Sequence, residues 1–386
     1  MPIPYGRQDI NEEDIAAVVN VLRSAWITQG PTVGIFESTL AKYCGARYAI
    51  ATCNATAALH LACRALDVQE GDTVWTSPNS FVASANCAIY CGANIDFIDI
   101  DPKTYNICTA ALEAKLEIAA RERRLPKVVI PVHFAGQSCE MKRLKVLADH
   151  YGFAIIEDAS HAIGGSYLGG KIGACRYSDI TVFSFHPVKI VTTGEGGALT
   201  TNRGNLMEKL VLLRSHGITR NPARMEGASE GPWYYQQIDL GYNFRMTDFQ
   251  AALGTSQLAR INKFVSHRAH LAKRYSDALV GLPLTRPWQH PASDSSWHLY
   301  VIRVDQEALG KTRRHLIEAL HTAGIMANVH YIPIHTQPYY QRLGFRHGSF
   351  PNAEAYYAEA ISLPIYFGLS EKEQDYIIEN LKHIIL

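Results

Sequence analysis

Two polar side chains that are capable of chemistry follow apolar segments of this 386-residue chain. Lys189 closes the mostly apolar segment 179–189, and the glycine-rich turn 192–197 comes after it. Asp158 directly follows the run Phe-Ala-Ile-Ile-Glu at 153–157. On neighbouring strand ends, these two groups are what pyridoxal 5′-phosphate (PLP) requires. The cofactor needs an amine for its Schiff base and a carboxylate for its ring nitrogen.

The context of Lys189 favours a functional role over that of a surface lysine in a loop. A lysine in a dry pocket has a lowered pKa, so its free amine is available as a nucleophile and a proton carrier. Val-Phe-Ser-Phe before it and Gly-Glu-Gly-Gly after it are unusual surroundings for an exposed ammonium. Taken alone, Asp158 fits a helix cap or a turn. We therefore predict Lys189 and Asp158 as the catalytic pair.

A phosphate group needs free backbone amides, which a helix N-terminus supplies. The segment 53–59, Cys-Asn-Ala-Thr-Ala-Ala-Leu, has the pattern of a strand, a turn and a helix start. Thr56 and Ala57 are the predicted amide donors, and the Ser184 hydroxyl is a further donor. The alternative is a capped helix that binds no ligand.

Two further side chains are candidates for contacts with the cofactor ring. Phe81 stands at a predicted strand-to-helix junction and could stack on a flat ring, although a core phenylalanine is the alternative. His161 follows Asp158 closely and could hydrogen-bond the phenolic oxygen. A structural histidine with its own protein partner is the alternative for His161.

The chain alternates between short apolar runs and helical patterns over its first two-thirds, which indicates a mostly parallel α/β sheet with helices on its faces. Predicted strands lie at 48–52, 72–76, 95–99, 128–133, 153–158, 180–185 and 197–201. Predicted helices lie at 56–66, 80–90 and 141–151. Ligands bind at the carboxyl ends of the strands in such a sheet.

The pattern changes near Asp248, so we predict two domains. Residues 1–248 would form the large α/β domain, with an N-terminal arm packed on it. Residues 249–386 would form a smaller α+β domain, which a long helix from 247 to about 279 introduces.

The composition excludes several functional classes. The formal net charge is +1 and no basic run is present, which argues against nucleic-acid or anionic-membrane binding. No apolar run approaches the roughly 18 residues that span a membrane. The 8 cysteines are scattered, without a CxxC pair. We therefore expect a soluble cytoplasmic protein.

Two other patterns are weak. The segment 165–171 spells most of a P-loop, but Ile172 replaces the Ser or Thr that must follow the lysine. His330 and His335 are near one another without acidic or cysteine partners at ligand spacing, so we predict no metal site.

An ordered set of motifs resembles the DegT/StrS sugar aminotransferases, which are PLP enzymes of fold type I. The set runs through nearly the whole chain, at 26–30, 54–59, 157–161, 184–189, 193–197 and 241–248. Asn54-Ala55 departs from the commoner Ser-Gly of this family. Some relatives carry histidine instead of the lysine and act as dehydratases, and Lys189 argues against that activity.

The resemblance implies a role for each matching position. It implies that Lys189 forms the Schiff base and that Asp158 pairs with the ring nitrogen of PLP. It also implies a homodimer in which Asn243 contacts the phosphate bound by the other subunit. The remaining cofactor contacts that it implies are Thr56, Ala57, Phe81 and Ser184. The implied substrate contacts are Tyr5, Trp26, Ile27, Thr28, Gln29, His330, Tyr331, Ile332 and Pro333.

Within the family, the chain most resembles the aminotransferases of pseudaminic acid biosynthesis. The segments 4–8, 187–188 and 330–335 carry this likeness. It implies transfer of an amino group from L-glutamate to C4 of a UDP-linked 4-keto-6-deoxy-N-acetylhexosamine. The alternatives are a 4-keto-pentose or 3-keto-sugar aminotransferase and a non-catalytic regulatory protein of the same fold.

Overall fold

The computed structural model describes residues 2–386. The α-helices are α1 Glu12–Leu22, α2 Pro31–Cys44, α3 Ala55–Ala65, α4 Ala83–Ile89, α5 Thr109–Arg121, α6 Met141–Tyr151, α7 Gly204–Arg214, α8 Asp248–Ala278, α9 Gln306–Leu309, α10 Arg313–Thr322, α11 Pro338–Arg342, α12 Pro351–Glu359 and α13 Glu371–Ile385. Short 3₁₀ helices lie at Phe134–Gly136, Pro222–Arg224 and Ile334–Thr336. The strands are β1 Ile3–Pro4, β2 Tyr48–Thr52, β3 Thr73–Thr76, β4 Asn94–Phe97, β5 Val128–Ile130, β6 Ala154–Asp158, β7 Ser166–Tyr167, β8 Gly170–Lys171, β9 Ile180–Ser184, β10 Gly197–Thr201, β11 Ile218–Thr219, β12 Gln236–Gln237, β13 Leu284–Thr285, β14 Ser293–Asp294, β15 Tyr300–Val304, β16 Ile325–Met326 and β17 Ala360–Leu363.

A seven-stranded sheet in the order β2-β10-β9-β6-β5-β3-β4 organises the first two-thirds of the chain. The strands from β9 to β4 are parallel, whereas β10 runs antiparallel to both β9 and β2. The mostly parallel α/β sheet predicted from the sequence is confirmed. Register pairs Asp158 with Val182, so the ends of β6 and β9 lie side by side.

Burial of the sheet on both faces explains the apolar runs of its strands. Val128, Val129 and Ile130 of β5 are fully buried, as are all five residues of β9. Strands that are covered on both faces read as continuous apolar runs instead of alternating patterns. The central strands were therefore visible in the sequence.

Helix α8 joins two hydrophobic cores. Its start is a capping box, in which the Gln250 side chain accepts from the backbone amide of Thr247 at 3.0 Å. Ile261 and Phe264 pack in the core beside the large sheet. About two to three turns after Phe264, Leu271 and Tyr275 are fully buried in a second core. The helix thus ties the two parts of the chain together.

The second core lies under the antiparallel sheet β13-β15-β17, with α10 and α13 packed against it. The N-terminal arm differs from the expectation that it packs on the large domain. β1 pairs in parallel with β16, and Ile3 is buried in the second core. The arm therefore belongs in part to the smaller unit, while the domain boundary at 248/249 stays a prediction.

The structure also bears on the P-loop-like segment and on membrane spans. The segment that spells part of a P-loop forms a β-hairpin, in which Ser166 pairs with Lys171. A P-loop would instead connect a strand to a helix N-terminus. Among residues 2–386, no helix combines the length and the apolar character needed to cross a bilayer.

We predict that Leu271→Ala destabilises the protein by about 2–5 kcal/mol, because it opens a cavity where α8 enters the second core. Urea unfolding at fixed protein concentration measures the change. Leu343→Ala is the control, since Leu343 is 52% exposed and should change stability by less than about 0.5 kcal/mol. Equal effects of the two substitutions would contradict this account of the second core.

Candidate active site

Lys189 lies in the turn that follows β9, near the end of β6. Its backbone amide donates to the carbonyl of His186 at 2.9 Å, which holds the turn. Burial lowers the pKa of the Lys189 ammonium to about 8, while the nearby charge of Asp158 acts in the opposite direction. About one-tenth of the amine is therefore neutral at pH 7, far more than for an exposed lysine.

Asp158 is buried and accepts hydrogen bonds from two hydroxyl groups and one backbone amide. Its Oδ2 accepts from the Ser84 hydroxyl at 2.6 Å, and Ser84 is in turn 2.7 Å from the Ser80 hydroxyl. Its Oδ1 accepts from the Ser160 hydroxyl at 2.6 Å and from the Ser160 amide at 3.1 Å. The local turn contact that the sequence offered as an alternative is thus real. The carboxylate of Asp158 nevertheless lies beside Lys189, and only 4% of the residue is exposed.

His161 is brought to the same site and is held in one tautomer. The Ala135 amide donates to His161 Nδ1 at 3.3 Å, which leaves the proton on Nε2. Nε2 then donates to the Tyr331 hydroxyl at 3.0 Å. Burial, together with the charge of Lys189, holds the pKa of His161 well below its usual range. The ring is therefore neutral near pH 7.

His298 is a site residue that the sequence analysis missed. Its Nε2 is 3.5 Å from Lys189 Nζ, and its ring centroid is 4.4 Å from that of His161. It directly precedes the apolar run 299–302 that leads into β15. The signal available in the sequence was a lone histidine just before a buried strand, whereas Asp158 stands at the end of its strand.

The segment 330–333 reaches the site through two of its four residues. Tyr331 contacts His161, and its ring centroid is 6.3 Å from that of Phe81. The His330 ring is 5.0 Å from Tyr5, so the arm approaches the same place. Ile332 is 48% exposed, and Pro333 precedes a 3₁₀ helix.

The two histidines that were considered for a metal have separate partners. His330 Nδ1 is 2.8 Å from the Ser362 hydroxyl, and His335 Nε2 is 2.9 Å from the Glu354 carboxylate. In the part of the chain that the structure describes, no group of three or more His, Cys, Asp or Glu side chains has an arrangement that suits a metal ion.

The N-terminus of α3 differs in one respect from the prediction. The Asn54 side chain caps the helix by accepting from the Ala57 amide at 2.8 Å, so that amide is not free for a phosphate. The amides of Ala55 and Thr56 have no hydrogen-bond acceptor within residues 2–386. The two free amides therefore lie one residue nearer the N-terminus than predicted. The reason is that the side chain of a capping asparagine accepts from the amide three residues after it.

Gly197 brings β10 against this helix end. A Cβ atom on Gly197 would lie 2.5 Å from the Asn54 carbonyl carbon and 2.6 Å from the Ala55 nitrogen. Gly197 is also opposite Ser184 in the register of β9 and β10. The predicted phosphate contacts Ser184 and Thr56 thus lie around one glycine.

Phe81 is 58% exposed in the turn before α4. This exposure excludes the core alternative for Phe81 and leaves a ring face accessible beside Tyr331. A solvent-facing phenylalanine at a site edge is suited to stacking on a planar ligand.

The remaining predicted residues form a second group on the surface of the chain. Trp26 and Ile27 are 57% and 51% exposed. Thr28 forms an isolated antiparallel β-bridge with Thr247, and Asn243, four residues before Thr247, is also exposed. A cleft of about 270 Å³ lies here and is lined by Gln29, Gly30, Val33, Gly34, Glu37, Arg214, Ser215, Arg245 and Met246. Within residues 2–386, no hydrogen bond or ring contact joins Asn243 or residues 26–29 to Lys189 or Asp158. The Phe244 carbonyl, next to Asn243, accepts from the Cys53 amide at 2.9 Å, so the chain places this segment beside the N-terminus of α3.

Comparisons with known proteins find relatives that match nearly the whole chain. The chain is 40% identical over 386 residues to the spore coat polysaccharide biosynthesis protein SpsC of Bacillus subtilis, covering 99% of this chain and 97% of the relative. The structure superimposes with a TM-score of 0.91 on Helicobacter pylori PseC, an aminotransferase involved in the biosynthesis of pseudoaminic acid, at 32% identity and 100% and 99% coverage. The PLP form of the sugar aminotransferase Spr1654 from Streptococcus pneumoniae, itself a tentative assignment, gives 0.87 at 32% identity and covers 100% and 98% of the two chains.

A family model extends over residues 8–382. This match covers almost the whole chain and includes Lys189, Asp158 and both histidines of the site. The chain belongs to the DegT/DnrJ/EryC1/StrS aminotransferase family.

Proposed function

We propose that this sugar aminotransferase uses PLP to transfer an amino group from L-glutamate to C4 of a UDP-linked 4-keto-6-deoxy-N-acetylhexosamine. The observation that carries the proposal is the amine of Lys189, with its pKa lowered by burial, beside the buried carboxylate of Asp158. The identity of the sugar rests on the likeness to PseC, which acts in pseudoaminic acid biosynthesis.

The residues present fit PLP. Lys189 supplies the amine, Asp158 the carboxylate for the ring nitrogen, and the accessible Phe81 a stacking face. The free amides of Ala55 and Thr56, with the Ser184 hydroxyl, would hold the phosphate, and the Asn54 cap completes that helix end. PLP supplies the electron sink that stabilises negative charge at the carbon from which a proton is removed.

The protein residues supply binding and proton transfer. Lys189 Nζ takes a proton from the carbon of the amino donor and returns one to the acceptor carbon. An amine with a pKa of about 8 is suited to both directions near neutral pH. His161 is neutral, and its Nε2 proton points toward the Tyr331 hydroxyl. With PLP bound, Nε2 could donate to the phenolic oxygen of the cofactor instead of to Tyr331.

We propose that the active site is completed in a homodimer. Asn243, Trp26 and Ile27 are exposed, and within residues 2–386 none of them forms a hydrogen bond with Lys189. An exposed apolar group next to a polar cleft is typical of a subunit interface. In this arrangement Asn243 of one chain would contact the phosphate bound by the other, and residues 26–29 would contact the sugar.

A different nucleotide-linked keto-sugar is the second candidate substrate. The relative from Bacillus subtilis is 40% identical and acts in spore coat polysaccharide biosynthesis, whereas identity to PseC is 32%. The reaction type and the roles of Lys189 and Asp158 are the same under both candidates.

A panel of nucleotide keto-sugars tests the proposed substrate. With glutamate as donor, we expect the UDP-linked 4-keto-6-deoxy-N-acetylhexosamine to have a kcat/KM at least about 100-fold above its dTDP-linked and 3-keto counterparts, since lost polar contacts cost this much discrimination. The amination position is read from the isolated product. Amination of 3-keto sugars alone would contradict the C4 assignment.

We predict that Lys189→Ala abolishes the visible absorbance band of bound PLP and lowers turnover by at least about 1,000-fold, because it removes both the amine and the proton carrier. Lys103→Ala is the control, since Lys103 is exposed and should leave both measurements unchanged. An unchanged band in the Lys189 variant would show that another group carries the cofactor.

The pH dependence follows from the lowered pKa of Lys189. Below about pH 8 its amine is mostly protonated and cannot accept a proton. Lys189 starts as a free amine in the keto-sugar half-reaction, so we expect the rate of that half-reaction to rise about tenfold per pH unit below this value and to level off above it. Single-turnover kinetics measure this profile. A rate that is flat between about pH 6 and 10 would contradict Lys189 as the base.

Gly197→Ala tests the position of the phosphate. The new Cβ would clash with Asn54 and Ala55, so we expect the Kd for PLP to rise at least about tenfold through displacement of the helix end. Gly204→Ala is the control, because the nearest atom to its Cβ would be 3.7 Å away. Unchanged PLP affinity in the Gly197 variant would place the phosphate elsewhere.

A further inference from the structure

His298 is the buried histidine whose side chain directly contacts Lys189. Its Nε2 lies 3.5 Å from Lys189 Nζ, and only 4% of the residue is exposed. The roles that family membership implies for the cofactor and substrate do not use this side chain. Its position next to the reacting amine nevertheless gives it a direct effect on that amine.

The backbone around His298 is fixed by a buried arginine from α8. Arg268 Nη1 donates to the carbonyls of Trp297, His298 and Ile365 at 3.2, 3.3 and 2.8 Å. The Ser296 hydroxyl donates to the carbonyl of His161 at 3.0 Å, which ties the two histidine segments together. The backbone that carries His298 is therefore fixed on both sides of the residue.

The protonation state of His298 follows from its surroundings. Burial, with the adjacent charge of Lys189, holds the pKa of His298 well below its usual range, so the ring is neutral. A lysine ammonium only donates, hence Nε2 carries the lone pair and Nδ1 the proton. Nδ1 is buried and has no acceptor within residues 2–386.

We propose that His298 is a positioning residue that accepts a hydrogen bond from Lys189 Nζ and holds the free amine at the site. The contact itself is independent of the proposed substrate, but its use in turnover rests on the proposed transamination. Each time the amino group resides on the cofactor, Lys189 is free. A fixed acceptor then keeps Nζ from leaving the reacting carbon.

The same hydrogen bond offsets part of the penalty for burying the ammonium. The titratable groups that face Lys189 and His298 are Asp158, His161, His330 and Arg268. Only Asp158 among them is negatively charged, so few other groups could replace His298 as a hydrogen-bond acceptor for the Lys189 ammonium. Loss of the acceptor should make the protonated amine less stable and lower the pKa of Lys189.

A matched pair of substitutions isolates this contact. The side-chain amide of His298→Gln reaches the position of Nε2, whereas that of His298→Asn reaches only the position of Nδ1. In the cofactor-free full-length protein, labelling by trinitrobenzenesulfonate as a function of pH, with peptide mass mapping, gives the pKa of Lys189. We expect the Asn variant to lower that pKa by about one unit and the Gln variant to leave it close to the wild-type value.

Kinetics of the holoenzyme give a second measurement. We expect His298→Asn to lower kcat about tenfold with the KM for glutamate unchanged, and His298→Gln to restore most of the rate. An unchanged lysine pKa in the Asn variant, or equal shifts in both variants, would overturn the proposal. Because the labelling requires neither PLP nor a sugar, a failure of the proposed function would leave this result interpretable.

Discussion

The amine of Lys189 experiences two opposing effects, and the rest of the site is arranged around them. Burial disfavours the charged form of the amine, whereas the carboxylate of Asp158 favours that form. The result is a pKa of about 8. A fully exposed lysine would stay protonated near neutral pH, and a buried one without a carboxylate would lose its proton more completely. The position of Asp158 next to β9 therefore decides whether this amine can act in both directions.

The neutral histidines follow from the same constraint. His161 and His298 lie next to Lys189 and are buried, so protonation of either would place a second positive charge beside the ammonium. Kept neutral, each ring offers one acceptor and one donor at a defined nitrogen. The hydroxyls of Ser84 and Ser160 serve Asp158 in a similar way, because they fill its acceptor positions without adding charge.

The sequence predicted the parts of this arrangement that depend on local patterns. Buried strands such as β5 and β9 are continuous apolar runs, and Lys189 and Asp158 follow such runs directly. Features that depend on distant segments were missed or displaced. Nothing local shows that β1 pairs with β16 or that β10 is antiparallel. His298 was missed because its neighbour Lys189 is more than one hundred residues away. The Ala57 amide differs from these cases, because the side chain that competes for it belongs to Asn54, only three residues before it.

The central claim is that Lys189 is the amine that carries the cofactor. The most direct measurement is borohydride reduction of the protein loaded with PLP, followed by proteolysis and peptide mass mapping. The account predicts a single phosphopyridoxyl group on the peptide that contains Lys189, at about one per chain. Labelling of a different lysine, or no stable label at all, would contradict it.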